Sequence, residues 1–244
     1  MVVDLVLSAL ATLVILTIHE YAHAYTAYRL GDGTAKSLGR LSLNPLKHLD
    51  PIGAVCMVLF HFGWAKPVPI NARNFKKPKQ GFAITALAGP TINLICAFIS
   101  AFIYLLLFAL LRDVKFESSF LFSVVDNTLY FIYLFHIINV GIGIFNLIPI
   151  PPLDGSRLLT VILPARTYFK IMKYERNIYF AVIGWLLLGD YVKLALLSVP
   201  FVAASPILSF IAGIFSLTDI LGAFFTLISG AMFDFWQLIP FLKL

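Results

Sequence analysis

Residues 5–28 read LVLSALATLVILTIHEYAHAYTAY, a run apolar enough to cross a bilayer that carries a cluster of ionisable side chains near its end. Twenty residues of helix span about 30 Å, the thickness of the hydrocarbon core. The run therefore predicts a membrane helix, ended by Gly31 and Gly33. Its first charge is Asp4 and no basic residue precedes Arg29, which does not fit a secretory leader. The helix is expected to be retained. Ionisable groups at membrane depth are costly, so they usually face a cavity and have a role. Within the cluster, His19 and His23 are four residues apart and project from one helix face. Two imidazoles so placed can bind one metal ion. Glu20, beside the first, can take a proton from a water that the metal has acidified.

The rest of the chain fits the same solvent. Of 244 residues, 60% are apolar and 12% charged, and the mean hydropathy is +0.93. Soluble domains run at about 45–50% apolar and about 25% charged. Residues 82–111, 127–148 and 178–200 predict three further spans, and 201–242 one or two more. The fold class expected is an all-α polytopic membrane protein with about five to six transmembrane helices. Residues 52–64 (IGAVCMVLFHFGW) are apolar but short, which suits a re-entrant segment. Residues 65–71 (AKPVPIN) predict a short edge strand or hairpin. Cys56 and Cys96 lie in apolar runs with no CxxC pair, so neither a thiol metal site nor a disulfide framework is indicated.

The formal net charge is +6, but its distribution matters more. Lys and Arg concentrate in 36–79 and 157–176, whereas 112–126 balances Arg112 and Lys115 against Asp113 and Glu117. If both basic loops face the cytoplasm, the N-terminus lies outside and the positive-inside bias is met. No basic run is interleaved with stacking aromatics, so nucleic acid is not an expected partner.

A zinc site needs a third protein ligand and an open position. The other histidines are His48, His61 and His136, and carboxylates near membrane depth are Asp126, Asp154, Asp190, Asp219 and Asp234. Asp154 follows the proline-rich stretch 149–152 and precedes Gly155, directly after a span. Prolines free the backbone from helical pairing, which a membrane tolerates where the segment is buried in protein or lines a wet cavity. Asp154 is then either a metal ligand or the N-cap of 156–164. His48 suits a loop anchor better than a site residue, and His61 and His136 suit packing.

Four stretches together resemble the site-2 protease family of intramembrane metalloproteases: HEYAH at 19–23, NPLKHLDPIG at 44–53, AGPTIN at 88–93 and FNLIPIPPLDG at 145–155. The resemblance implies His19, His23 and Asp154 as zinc ligands and Glu20 as catalytic base. It implies a three-helix catalytic core with one zinc ion sunk in the membrane. Asn146 resembles a substrate-orienting or oxyanion-contacting residue, and Asn93 is a weaker candidate whose plainer reading is an interhelical hydrogen bond. Segment 63–71 resembles a strand beside the active site, able to pair with an unwound substrate. The implied substrates are single-span transmembrane proteins or signal-peptide remnants, cleaved in a prokaryotic cell membrane. No connection offers the roughly 80–100 residues of a PDZ module, and no CBS-type tail is expected. Residues 1–165 are read as the membrane-embedded metalloprotease core and 166–244 as C-terminal transmembrane helices. Two rivals remain: a transporter, which should spread ionisable residues over several spans, and an inactive scaffold, which would have no need of Glu20.

Overall fold

A computed structural model describes residues 2–51, 53, 65–209 and 216–243. The re-entrant expectation for 52–64, with Cys56 and His61, falls almost wholly outside the described residues. What is described is mostly helical, and the described residues form no strand beyond one isolated bridge. Four helices are long and apolar enough to cross a membrane: α1 (Val2–Arg29), α2 (Pro78–Leu111), α3 (Ser119–Leu147) and, after the shorter α4 (Ala165–Met172) and α5 (Glu175–Leu197), α6 (Leu217–Trp236). The fifth candidate is α5, which bends by 48° between Trp185 and Leu188. The chain is an all-α, multi-pass membrane protein.

Helix α2 is the axis of the molecule. It packs against α1, α3, the turn that carries Asp154, and α6. Its buried side is made of small residues, including Ala83, Ala86, Gly89, Ala97, Ser100 and Ala101. In lipid, helices have no hydrophobic drive toward one another, and small side chains let backbones approach closely enough for dispersion to hold them. At roughly 1.5 Å per residue its 34 residues reach about 51 Å, well beyond the hydrocarbon thickness.

The end of α1 is closed by Asp32 N–H donating to Ala27 O at 2.8 Å and Gly31 N–H to Tyr28 O at 3.1 Å. This pairing satisfies carbonyls that the helix end would otherwise orphan. The following loop folds back under α1. Ala65 bridges Leu49, Lys66 N–H donates to His48 O at 2.8 Å, and the Arg40 guanidinium reaches Lys66 O at 2.5 Å. Segment 65–71 is thus extended but, among the described residues, it forms a single antiparallel bridge rather than a regular hairpin. Pro67 and Pro69 lack the N–H groups a ladder needs.

Helix α6 is tied to the α2–α3 pair by polar contacts that apolar helices rarely make. His136 Nδ1–H donates to Ala97 O at 2.9 Å, and its Nε2 accepts from the Ser229 hydroxyl at 2.8 Å. Trp236 Nε1–H donates to Phe98 O at 2.9 Å. His136 is therefore a packed interhelical residue.

Candidate metal centre

The i, i+4 spacing sets both histidines of α1 against α2, and both are buried. Their rings cross nearly edge-on, with centroids 4.6 Å apart and an 83° interplanar angle. The two Nε2 atoms lie 3.0 Å apart. His23 Nδ1 meets the Thr85 carbonyl at 2.7 Å. A carbonyl only accepts, so Nδ1 carries the proton and the Nε2 lone pair points into the cluster. A partner of this kind on the far nitrogen is the usual way a metal-ligating imidazole is oriented.

Asp154 completes the cluster from a distant part of the chain. Its Oδ2 lies 3.0 Å from His19 Nε2 and 3.1 Å from His23 Nε2. The chain reverses sharply after α3 into a 3₁₀ turn, Asp154–Leu158. A Cβ at Gly155 would sit 2.3 Å from Leu147 O and 2.5 Å from Ile148 O, so only glycine lets the turn tuck against the helix end. Asp154 makes no capping bond, and the N-cap position falls to Leu153. Of the two readings the sequence left open, the geometry sets the carboxylate against the imidazoles.

Gly89 is the floor of the cluster. A Cβ there would lie 2.4 Å from His23 Nε2 and 2.6 Å from His19 Nε2. The rings rest directly on the α2 backbone, and Pro90 follows at once.

These residues fit a zinc ion. The three ligand atoms form a triangle with edges of 3.0–3.1 Å. A tetrahedron built on bonds of roughly 2.0–2.1 Å has edges of about 3.3 Å. The donor set, two imidazole nitrogens and a carboxylate oxygen, is one zinc accepts. The two imidazole nitrogens and the carboxylate oxygen converge on one point, an arrangement that a cation between them would hold. Among the described residues, no other three His, Cys, Asp or Glu side chains converge in this way.

Glu20 is half-buried, and its Oε2 accepts the Val68 N–H at 2.8 Å. The acid next to the first histidine thus touches the extended segment. That segment is fixed by Asp32, a fully buried carboxylate that accepts Asn71 N–H and Asn74 Nδ2–H at 2.7 Å each and both the amide and hydroxyl of Thr34. Burial alone would push this carboxyl up; the Thr34, Asn71 and Asn74 donors outweigh it and hold it below the usual carboxylate range.

Other candidates are not brought to the cluster. Asn146 Nδ2 donates to Ile142 O on its own helix at 3.2 Å. Asn93 is fully buried, and neither end of its amide has a partner among the described residues, so the interhelical bond expected of it is not found there. His48 Nε2 meets Ser42 O at 2.7 Å and anchors the loop. Thr85 and Asp32 were not anticipated from the sequence. Asp32 had a legible signal, an acidic residue between two glycines just after a helix. Thr85 had none, because its carbonyl, not its side chain, meets His23.

Comparison with known proteins finds relatives named as zinc metalloproteases. The model of Peptidase family M50 matches residues 7–189. YwhC of Bacillus subtilis, named as a candidate zinc metalloprotease, is 42% identical over 178 residues, covering 72% of this chain and 78% of its own. Rip2 of Mycolicibacterium smegmatis, similarly named, is 31% identical over 145 residues, or 57% of this chain and 51% of its own. The zinc metalloprotease MJ0392 of Methanocaldococcus jannaschii is 29% identical over 162 residues, covering 66% of this chain and 36% of its own. No solved structure matches the chain. With two histidines and an aspartate gathered inside a bundle of membrane helices, and the family model running through all three, the chain belongs to peptidase family M50, the site-2 proteases.

Proposed function

We propose that this chain is a zinc-dependent intramembrane endopeptidase of a prokaryotic cell membrane that hydrolyses peptide bonds of single-span proteins or signal-peptide remnants. The observation that carries the reading is the convergence of His19, His23 and Asp154 within 3.1 Å of one another inside an apolar helix bundle. His19 Nε2, His23 Nε2 and Asp154 Oδ2 would hold the zinc, whose chemistry when bound is to acidify water and polarise a carbonyl. Glu20 takes the proton of the attacking water and returns it to the leaving amine. Its Oε2 is steadied by Val68 N–H, which leaves the other carboxylate oxygen for the reaction. The Thr85 carbonyl keeps the His23 ring in register.

A helical substrate must unwind before its amides are open to attack. Segment 65–71 is extended and braced at Arg40, Asp32 and Glu20, so it can pair with an unwound backbone as an added strand. Asn146, one helical end away from the Asp154 turn, would orient that backbone once its amide leaves the Ile142 carbonyl.

The test pairs wild type with Glu20→Gln in detergent, measuring zinc stoichiometry and cleavage of a panel of single-span substrates. Wild type should hold about one zinc per chain. The variant should keep its zinc and lose at least about a hundredfold in rate, the usual size of a general-base contribution. Equal cleavage by the variant would remove Glu20 from the mechanism, and a wild type without bound metal would overturn the reading.

A further inference from the structure

Helix α4 and the first turns of α5 form a surface that the hydrolytic reading does not use. At 100° per residue along Ala165–Met172, Tyr168, Phe169, Ile171 and Met172 fall on one side with Ala165. Arg166 and Lys170 share the opposite side, and Lys173 continues their stripe. Tyr168 turns inward and is buried, while Phe169 is 68% exposed. Ile162, Tyr174 and Phe180 in the flanking chain are exposed as well. A short helix with a basic edge beside exposed aromatics is built to lie in the headgroup layer of a bilayer.

Beside it opens a wide-mouthed cavity of about 670 Å³, walled by Lys173, Arg176, Asn177, Tyr179 and Pro152. Glu175 also lines it, but its carboxylate is engaged by Arg157 at 3.2 Å. Arg166, Lys170, Lys173 and Arg176 form no ion pair with a carboxylate among the described residues. Beside the one carboxylate of Glu175, the cavity therefore offers two cations outside any ion pair among the described residues, an amide and a phenol. These are donors for a phosphodiester, placed at the level of aromatic side chains.

We propose that this cavity binds the phosphate headgroup of an anionic phospholipid, with α4 lying in the surrounding headgroup layer. A soluble phosphate compound would match the cations but make no use of the exposed Phe169 and Phe180 on the two helices that flank them. The site also adjoins the turn that carries Asp154. Pro152 is two residues from Asp154, and Arg157, in the same turn as Asp154, spans to Glu175 and to the Tyr168 hydroxyl. A bound headgroup would brace that turn. This last link rests on the proposed hydrolytic site; the lipid site does not.

The test keeps the full chain in detergent and adds phosphatidylglycerol or phosphatidylcholine with matched acyl chains. Native mass spectrometry counts retained lipid and intrinsic fluorescence follows thermal unfolding. Neither readout needs metal or cleavage, so failure here is distinct from failure of the hydrolytic reading. Phosphatidylglycerol should be retained and should raise the melting temperature by several degrees, whereas phosphatidylcholine should not. Arg176→Gln, at an exposed position where folding is safe, should bind about fivefold more weakly, and K173Q/R176Q about 25-fold. The charge-conserving K173R/R176K should restore binding. The proposal is overturned if the two lipids behave alike, or if K76Q/K77Q in the other basic segment weakens binding as much. Displacement by millimolar inorganic phosphate would also overturn it, by marking a site for soluble anions.

Discussion

Gly89 shows how finely the candidate centre depends on single atoms. The histidines need α2 close enough for Thr85 O to reach His23 Nδ1 at 2.7 Å, and that approach leaves no volume for a methyl group at position 89. Gly89→Ala should therefore push the imidazoles apart and weaken zinc binding by about 10–100-fold, the range seen when support around a ligand is disturbed. Gly141→Ala in α3, where a Cβ meets nothing within 4 Å, should leave zinc content unchanged. Metal titration of the two variants checks both expectations. Equal affinity for wild type and Gly89→Ala would mean that the rings are not held by this contact.

At the scale of elements, the extended segment 65–71 owes its position to groups outside it. Asp32 gathers donors from Thr34, Asn71 and Asn74, so one carboxylate joins the end of α1 to the segment Glu20 touches. Its folded pKa lies below the ordinary value of about 3.9. A depressed carboxyl contributes stability that is present above the unfolded pKa and lost as pH falls through the folded one. Asp32→Asn should accordingly cost about 2–3 kcal/mol at pH 7, from the loss of charge-assisted hydrogen bonds. The difference from wild type should narrow below about pH 4. Thermal unfolding of both proteins at pH 7 and pH 3 gives the comparison, and a gap that persists unchanged at pH 3 would assign the effect to shape rather than charge.

For the whole molecule, the candidate metal centre would work as a clasp. The residues that would hold the ion come from α1 and from the turn after α3, and both elements pack on α2. A ligand that binds only the folded state stabilises it by about 4 kcal/mol when present at roughly a thousandfold over its Kd. Chelation should thus lower the melting temperature of wild type by several degrees. Asp154→Ala, lacking one arm of the clasp, should start lower and respond little to the chelator. An Asp154→Ala protein that melts like wild type and keeps its zinc would place the third ligand elsewhere.

The amino-acid sequence by itself determined the solvent, the helical class and the local half of the site. Membrane helices satisfy their own backbone, so hydropathy over about twenty residues suffices to find them. An i, i+4 pair on one helix is likewise a local fact, which is why His19 and His23 could be read directly. What lies between elements was not legible. Asp154 is equally suited by its neighbours to a cap and to a metal, and only the reversal at Gly155 brings its Oδ2 to the imidazoles. The strand expected at 65–71 became an extended braced segment because its partners are side chains of Glu20, Asp32 and Arg40, contacts set by loop closure rather than by alternation along the chain. The role of Thr85 rests on a backbone carbonyl that every residue possesses, so no side-chain pattern could mark it. Periodicity fixes which face a residue occupies, whereas the distance between two faces is decided by packing, and the candidate centre exists only where three faces meet.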